Sequence, residues 1–340
     1  MLTIDDFDYD LPEERIAQTP ATPRDSSRLL VYDRNTKQIS HRIFRDIIEY
    51  LRPGDVLVVN ETKVIPARIY AFTPHGGKVE VLLLKRISGD EWEVMVKPGK
   101  KARPGAELAV NEELSLTVEE VLDEGLRRVK FHYQGVFEDV LSRVGTMPLP
   151  PYIHEKLADQ TRYQTVYSRV DGSAAAPTAG LHFTPELLEK IREKGVIIAK
   201  VLLHVGLGTF RPVKEKNVED HKMHVEHYEI GEEAAKIVNA AKAEGRRVIA
   251  VGTTSVRTLE TAADEKGMVA PCRGETGIFL YPPYKMKCVD ALVTNFHLPK
   301  STLIMLVACM TGREEILNVY KTAVEEKYRF FSFGDACLIL

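Results

Sequence analysis

Polar residues that could do chemistry recur where β-branched runs stop in this 340-residue sequence. Asn60 closes "GDVLVVN" (54–60), and His204 sits near the end of "GVIIAKVLLHVG" (195–206). Thr253 and Thr254 follow "RRVIAVG" (246–252), and Asn295 and His297 follow from "VDALVTN" (289–295). Imidazole titrates nearest neutrality, so the histidines could move protons, while hydroxyls and amides could orient a ligand. A fifth stretch, "AAAPTAGLHF" (174–183), places near-bare residues ahead of a histidine and an aromatic ring. Small side chains, Gly180 among them, let backbone approach a ligand closely. Thr178, His182 and Phe183 would add a hydroxyl, a titratable ring and a stacking face. The helix expected next, "TPELLEKIREKG", would offer free N–H groups and roughly +0.5 charge to an anion.

The elements that must position these groups follow one plan. Near-continuous apolar strands alternate with helices, which predicts parallel pairing with both sheet faces covered. In such folds ligands lie beyond the carboxyl ends of the strands, where the polar residues above fall. Thr184 before Pro185 predicts a helix start, and Ser301 predicts another before "TLIMLVACMTG". Residues 68–149 differ. "ARIYAF", "KVEVLLLKRI", "EWEVMVK", "AELAV", "LSLTVEEVL" and "RRVKFHY" read as short strands between turns, which predicts a small antiparallel barrel or sandwich. The expected domains are therefore 1–67 with 150–340, and an insertion over 68–149, with "GTMPLPPYI" (145–153) as the return linker.

Several classes are excluded. The net charge of −3 rules out a globally basic protein, so contact with nucleic acid needs a local patch. One candidate patch is Lys97, Lys100, Lys101 and Arg103 on "KPGKKARPG"; another is Arg329 within "KYRFFSFGD", where Phe333 could stack. The four cysteines are widely spaced and predict reduced thiols, not a zinc or disulfide framework. "HVGLGTFRPV" (204–213) has Arg211 where a dinucleotide loop needs its third glycine. His221, His224 and His227 stand three apart, but their surroundings also fit an extended stretch that would scatter them. No metal is expected. Apolar runs are too short to span a bilayer, and the acidic N-terminus lacks an export pattern, so a cytoplasmic protein is expected.

The sequence resembles one family along its whole length: the S-adenosylmethionine:tRNA ribosyltransferase-isomerases of queuosine biosynthesis. The resemblance rests on "FDYDLPEERIAQTP", "RDSSRLLV", "GDVLVVNETKVIPAR", "MPLPPYI", "RYQTVYSRVDGSAAAPTAGLHF", "LHVGLGTFRPV", "AVGTTSVRTLE", "TNFHLPKSTLIMLV" and "YRFFSFGDACLI". It implies an α/β, barrel-like parallel catalytic domain with an inserted small antiparallel β-barrel. It also implies a reaction. The ribosyl part of S-adenosylmethionine moves to the aminomethyl group of a 7-deazaguanine wobble base in tRNA and rearranges to an epoxycyclopentane, releasing adenine and methionine. The sulfonium acidifies the C5′ hydrogens, and a base removes one.

On this resemblance His182, His204 and His297 are the candidate proton carriers. Thr178, Thr253 and Thr254 would hold the adenosyl or methionine portion, with Gly180 and Asn295 also binding substrate. Asn60, Lys63 and Arg68 would meet tRNA or the methionine carboxylate, and Phe183 and Phe333 would stack on a base. No cofactor is implied beyond S-adenosylmethionine, consumed as substrate. The expected partners are that substrate and tRNA, with the protein a monomer. Two rivals remain at this point: an S-adenosylmethionine-dependent RNA methyltransferase, and a non-catalytic RNA-binding protein.

Overall fold

The computed structural model describes residues 2–155, 157–206, 213 and 215–340. The glycine-poor turn read at Arg211 therefore lies outside the described residues. The chain forms two compact units, residues 1–62, 151–170 and 176–340, and residues 63–150 with 171–175. Residues 63–67, 150 and 171–175 were expected with the larger part of the chain and group with the smaller one.

Strands β1 (Arg28–Asp33), β2 (Gln38–Ile43) and β3 (Val56–Asn60) come first, then the short β4 (Thr62–Val64). Six strands follow without a long helix between them: β5 (Arg68–Phe72), β6 (Lys78–Ser88), β7 (Glu91–Lys97), β8 (Glu107–Ala109), β9 (Leu114–Val121) and β10 (Arg127–Tyr133). Helix α1 (Phe137–Val144) and the short β11 (Val170–Ser173) precede a return to alternation. That stretch runs α2 (Pro185–Glu193), β12 (Ile197–Leu203), β13 (Glu226–Ile230), α3 (Glu232–Ala243), β14 (Val248–Val251), α4 (Gly252–Ala262), β15 (Cys272–Thr276), β16 (Ala291–Asn295), α5 (Thr302–Thr311), α6 (Arg313–Glu325) and β17 (Ala336–Ile339).

In the larger unit nine strands pair in the order β15-β13-β12-β3-β14-β16-β17-β1-β2. Pairing is parallel through β12, β3, β14 and β16, and again between β1 and β17. It turns antiparallel at β16–β17, at β1–β2 and through β13 and β15. The sheet is thus mixed, parallel at its heart. Alternate side chains feed two cores. Val56, Val58, Val248 and Ala250 pack with α3, α4, α5 and α6, while Leu57, Val59, Ile249 and Val251 pack with Leu187, Leu188 and Ile191 of α2. This is why β3 is buried along its whole length and reads as a continuous apolar run.

The smaller unit holds a closed antiparallel barrel, β10-β7-β6-β5-β8-β9. Its interior comes from alternating positions such as Ile69 and Ala71, Val79 and Val81, and Val129 and Phe131, all fully or almost fully buried. Closure leaves no open sheet edge.

Candidate active site

Because β12, β3, β14 and β16 run parallel, their carboxyl ends share one edge of the sheet. A small cavity lies there. Its wall comes from four separated segments: Ala176–Ala179, Gly252–Thr254, the trio Thr294, Asn295 and His297, and Phe331–Ser332, with Val205 and Leu303. Among the described residues no aspartate, glutamate, lysine or arginine lines it.

Thr178, Thr253, Thr254, Asn295 and His297 line this cavity. His297 is buried, and burial holds its pKa down at about 3. Its Nε2 lies 2.8 Å from Thr294 Oγ1. The Thr294 hydroxyl also lies 3.3 Å from the Asn295 carbonyl.

His182 faces elsewhere. Its Nε2 lies 3.3 Å from Asn295 Oδ1 and its Nδ1 lies 2.7 Å from Ser27 Oγ. The Asn295 amide nitrogen donates to the Phe331 carbonyl at 2.7 Å, which leaves Oδ1 as the acceptor for His182. Both ring nitrogens are thus occupied, and the ring stacks on Phe44 at 4.9 Å. Burial, against a smaller raising effect of Asp335, holds the His182 pKa at about 4. His182 fixes Asn295 against the cavity and touches a smaller recess beside Arg24 and Arg162. His204 precedes the lining residue Val205; its Nδ1 lies 2.8 Å from Thr62 Oγ1 and its ring stacks on His227 at 5.9 Å.

Other sequence candidates serve the frame. Asn60 is fully buried; its amide donates to the Leu203 carbonyl and its oxygen accepts from the Thr62 and Leu203 amides. It bridges β3 to β12 and lines no part of the cavity. Phe183, expected to offer a stacking face, is fully buried edge-on against Phe44. Phe333 is buried edge-on against Tyr163 and borders the smaller recess. Gly180 answers why the bare stretch needs a glycine: a Cβ there would fall 2.0 Å from Tyr167 Oη and 2.8 Å from Thr165 Cγ2. The two halves of "RYQTVYSRVDGSAAAPTAGLHF" therefore pack directly on each other.

Charged candidates are distributed. Arg329 is tied to Asp335 at 3.3 Å and to the Thr19 carbonyl. In the smaller unit Lys63 pairs with Asp171 at 3.2 Å and Arg68 with Glu80 at 3.0 Å. Lys97 ends β7, and Lys100, Lys101 and Arg103 are exposed on the loop that follows. His227 lies in β13 and His221 outside it, bonded to Glu215 at 2.9 Å. No group of three or more metal-binding side chains forms among the described residues.

Sequence reading passed over several site features. Phe331 lines the cavity with φ of 73°, a left-handed backbone unusual for a bulky residue. That conformation presents its carbonyl to Asn295. Ser27 holds His182 across 155 positions of sequence. Arg257 of α4 and Glu226 of β13 form a buried ion pair, and Glu226 Oε1 also accepts from the Gly206 amide at 2.7 Å.

A mixed α/β sheet whose polar loops close over one neutral cavity defines an α/β protein with its site beyond the strand ends. The chain belongs to the queuosine biosynthesis protein family, whose model matches residues 4–339. A relative from Acetivibrio thermocellus, named S-adenosylmethionine:tRNA ribosyltransferase-isomerase, is 60% identical over 340 residues, covering 99% of this chain and 100% of its own. One of the same name from Symbiobacterium thermophilum is 59% identical, with both chains covered in full. The crystal structure of S-adenosylmethionine tRNA ribosyltransferase from Thermotoga maritima matches with a TM-score of 0.56 and 43% identity, covering 98% of this chain and 100% of that one.

Proposed function

We infer that this chain is an enzyme that transfers and isomerises the ribosyl part of S-adenosylmethionine onto the 7-aminomethyl-7-deazaguanine wobble base of tRNA. Epoxyqueuosine in tRNA, adenine and methionine are the products. Full-length identity near 60% to relatives of that name supports the reaction. The observation that carries it in the structure is the cavity: four segments far apart in sequence meet around one space at the strand ends.

The cavity wall supports the following residue roles. His297 takes the C5′ proton. Asn295, held by His182, and the hydroxyl of Thr178 hold the nucleoside. Lys97, Lys100, Lys101 and Arg103 meet tRNA phosphates, positioning the backbone without reading sequence. Every atom of the products comes from the two substrates without net redox change, so the proposed chemistry draws on no further cofactor. No helix among the described residues is long and apolar enough to cross a membrane. The protein is proposed to act as a monomer in the cytoplasm.

The test is to incubate the protein with S-adenosylmethionine and tRNA bearing the aminomethyl-deazaguanine base, and to identify the released small molecules. Adenine with methionine is expected. S-adenosylhomocysteine would instead mean methylation, and no turnover would mean RNA binding alone.

A further inference from the structure

Helix α4 starts at the cavity. The side chains of Thr184 and Ser301 cap α2 and α5, accepting from Leu187 and Ile304 amides at 3.1 and 3.3 Å. At the start of α4 the cap position is Val251, which has no acceptor to offer; α1, α3 and α6 also begin without a side-chain cap, at Val136, Gly231 and Gly312. The first-turn N–H groups of any helix lack intrahelical partners and carry a partial positive charge. In α4 those groups belong to Gly252, Thr253 and Thr254, which all line the cavity. Gly252 has φ of 85°, so glycine is the residue that lets the chain turn from β14 straight into the helix.

The hydroxyls of α4 supply an independent observation. Ser255 donates to the Val251 carbonyl at 2.8 Å, Thr258 to Thr254 at 2.9 Å and Thr261 to Arg257 at 2.7 Å. Thr253 and Thr254 break this pattern. Thr253 is only 8% exposed and lines the cavity, and its hydroxyl takes no hydrogen-bond partner among the described residues. Thr254 Oγ1 is shut off from solvent and has no partner. Buried hydroxyls are nearly always hydrogen-bonded, and on α4 Thr254 is the exception. Both residues stand at the start of the helix, on the cavity wall.

We propose that the amino terminus of α4, with the Thr253 and Thr254 hydroxyls, is the seat of a ligand carboxylate. This rests on the reading of S-adenosylmethionine as the substrate, and it sets that molecule's direction in the cavity. Its sulfonium and ammonium are cations that the positive helix end repels, and its adenine is neutral; the methionine carboxylate alone is anionic. Seated at α4, the carboxylate replaces the missing cap and satisfies the two hydroxyls. The wall offers no lysine or arginine among the described residues to compete for it. A phosphate of RNA shares this chemistry, and the experiment separates the two.

Binding is measured calorimetrically without tRNA, comparing S-adenosylmethionine with its decarboxylated analogue, S-adenosyl-3-methylthiopropylamine. Charged-group hydrogen bonds of about 1.5–3 kcal/mol translate to roughly 10- to 100-fold weaker binding of the analogue to the unaltered protein. Thr253→Val and Thr254→Val should each weaken S-adenosylmethionine several-fold and leave the analogue's affinity unchanged. Equal affinities for the two ligands in the unaltered protein would overturn the seat without touching the functional reading, and need no variant to fold. Equal loss of both ligands in the variants would also overturn it, as would variants weakened only towards tRNA, which would assign the seat to a phosphate. If S-adenosylmethionine itself does not bind and no adenine is released with tRNA present, the functional reading falls together with the seat.

Discussion

Lowering the pH from 7 to 5 should cost the folded protein about 2 kcal/mol for each of His182 and His297. Both rings are buried, with pKa values of about 4 and about 3 against an ordinary 6.5. Desolvation of the charged form is the leading cause in each case. The sign follows from proton counting. Between pH 6.5 and 4 the unfolded chain binds protons that the folded chain refuses, so stability rises with pH. The contribution is complete above 6.5 and is lost as pH falls towards the folded values. Each unit below 6.5 costs about 1.4 kcal/mol per ring, and the last half-unit above it adds little, giving about 2 kcal/mol by pH 5. The two sites together lose about 4 kcal/mol, a large share of the ~5–15 kcal/mol typical of folded proteins. Glu61 and Asp159 have lowered pKa values and surrender their contributions at more acid pH, outside this window. The assay is urea unfolding at pH 7, 6 and 5 for the unaltered protein, His182→Gln and His297→Gln. The quantity of interest is the difference between pH values, which removes the cost of the substitution itself. Each variant should flatten the pH dependence by about half. Unchanged slopes, or imidazole NMR signals from either ring titrating near 6.5, would refute the reasoning.

Three further expectations follow from packing and charge. Gly180→Ala should lose about 1–3 kcal/mol through the clash with Tyr167, and adding Tyr167→Phe should restore part of it, as read by thermal melting. Arg257→Met should cost about 3–5 kcal/mol by stranding the Glu226 carboxylate in the interior, and Glu226→Met on top should recover much of that in urea titrations. Replacing Lys100, Lys101 and Arg103 by glutamate should leave unfolding unchanged, weaken tRNA binding and flatten its dependence on salt concentration, each lost phosphate contact reducing the slope by about 0.7–0.9.

Local signals carried the frame. The β-branched runs at 56–60, 197–203, 248–251 and 291–295 are strands, because residues stiff at χ1 fill a sheet covered on both faces. Thr184 and Ser301 cap helices as their position before apolar stretches predicts. The barrel strands were legible as short strands closely spaced by turns. What local pattern does not carry is direction and partner. Nothing in "ACLI" says that β17 runs antiparallel to β16 and parallel to β1. Asn60 and Asn295 look alike at strand ends, yet one joins two strands through three backbone groups and the other faces the cavity. His182 was read as chemistry because its partner Ser27 is remote in sequence, and an imidazole with both nitrogens taken looks no different on the page from a free one. Phe331 hides for another reason: a left-handed φ at a phenylalanine is imposed by its surroundings, not by its own preference.

The neutral wall of the cavity has a consequence for how the protein tells its substrate from look-alikes. On the proposed reading, a sulfonium resting there finds no counter-ion among the described side chains, and leaving water without one costs free energy. A neutral thioether escapes that cost and should bind at least as tightly. Discrimination then falls to the chemical step, because only the sulfonium makes the neighbouring carbon acidic enough to lose a proton.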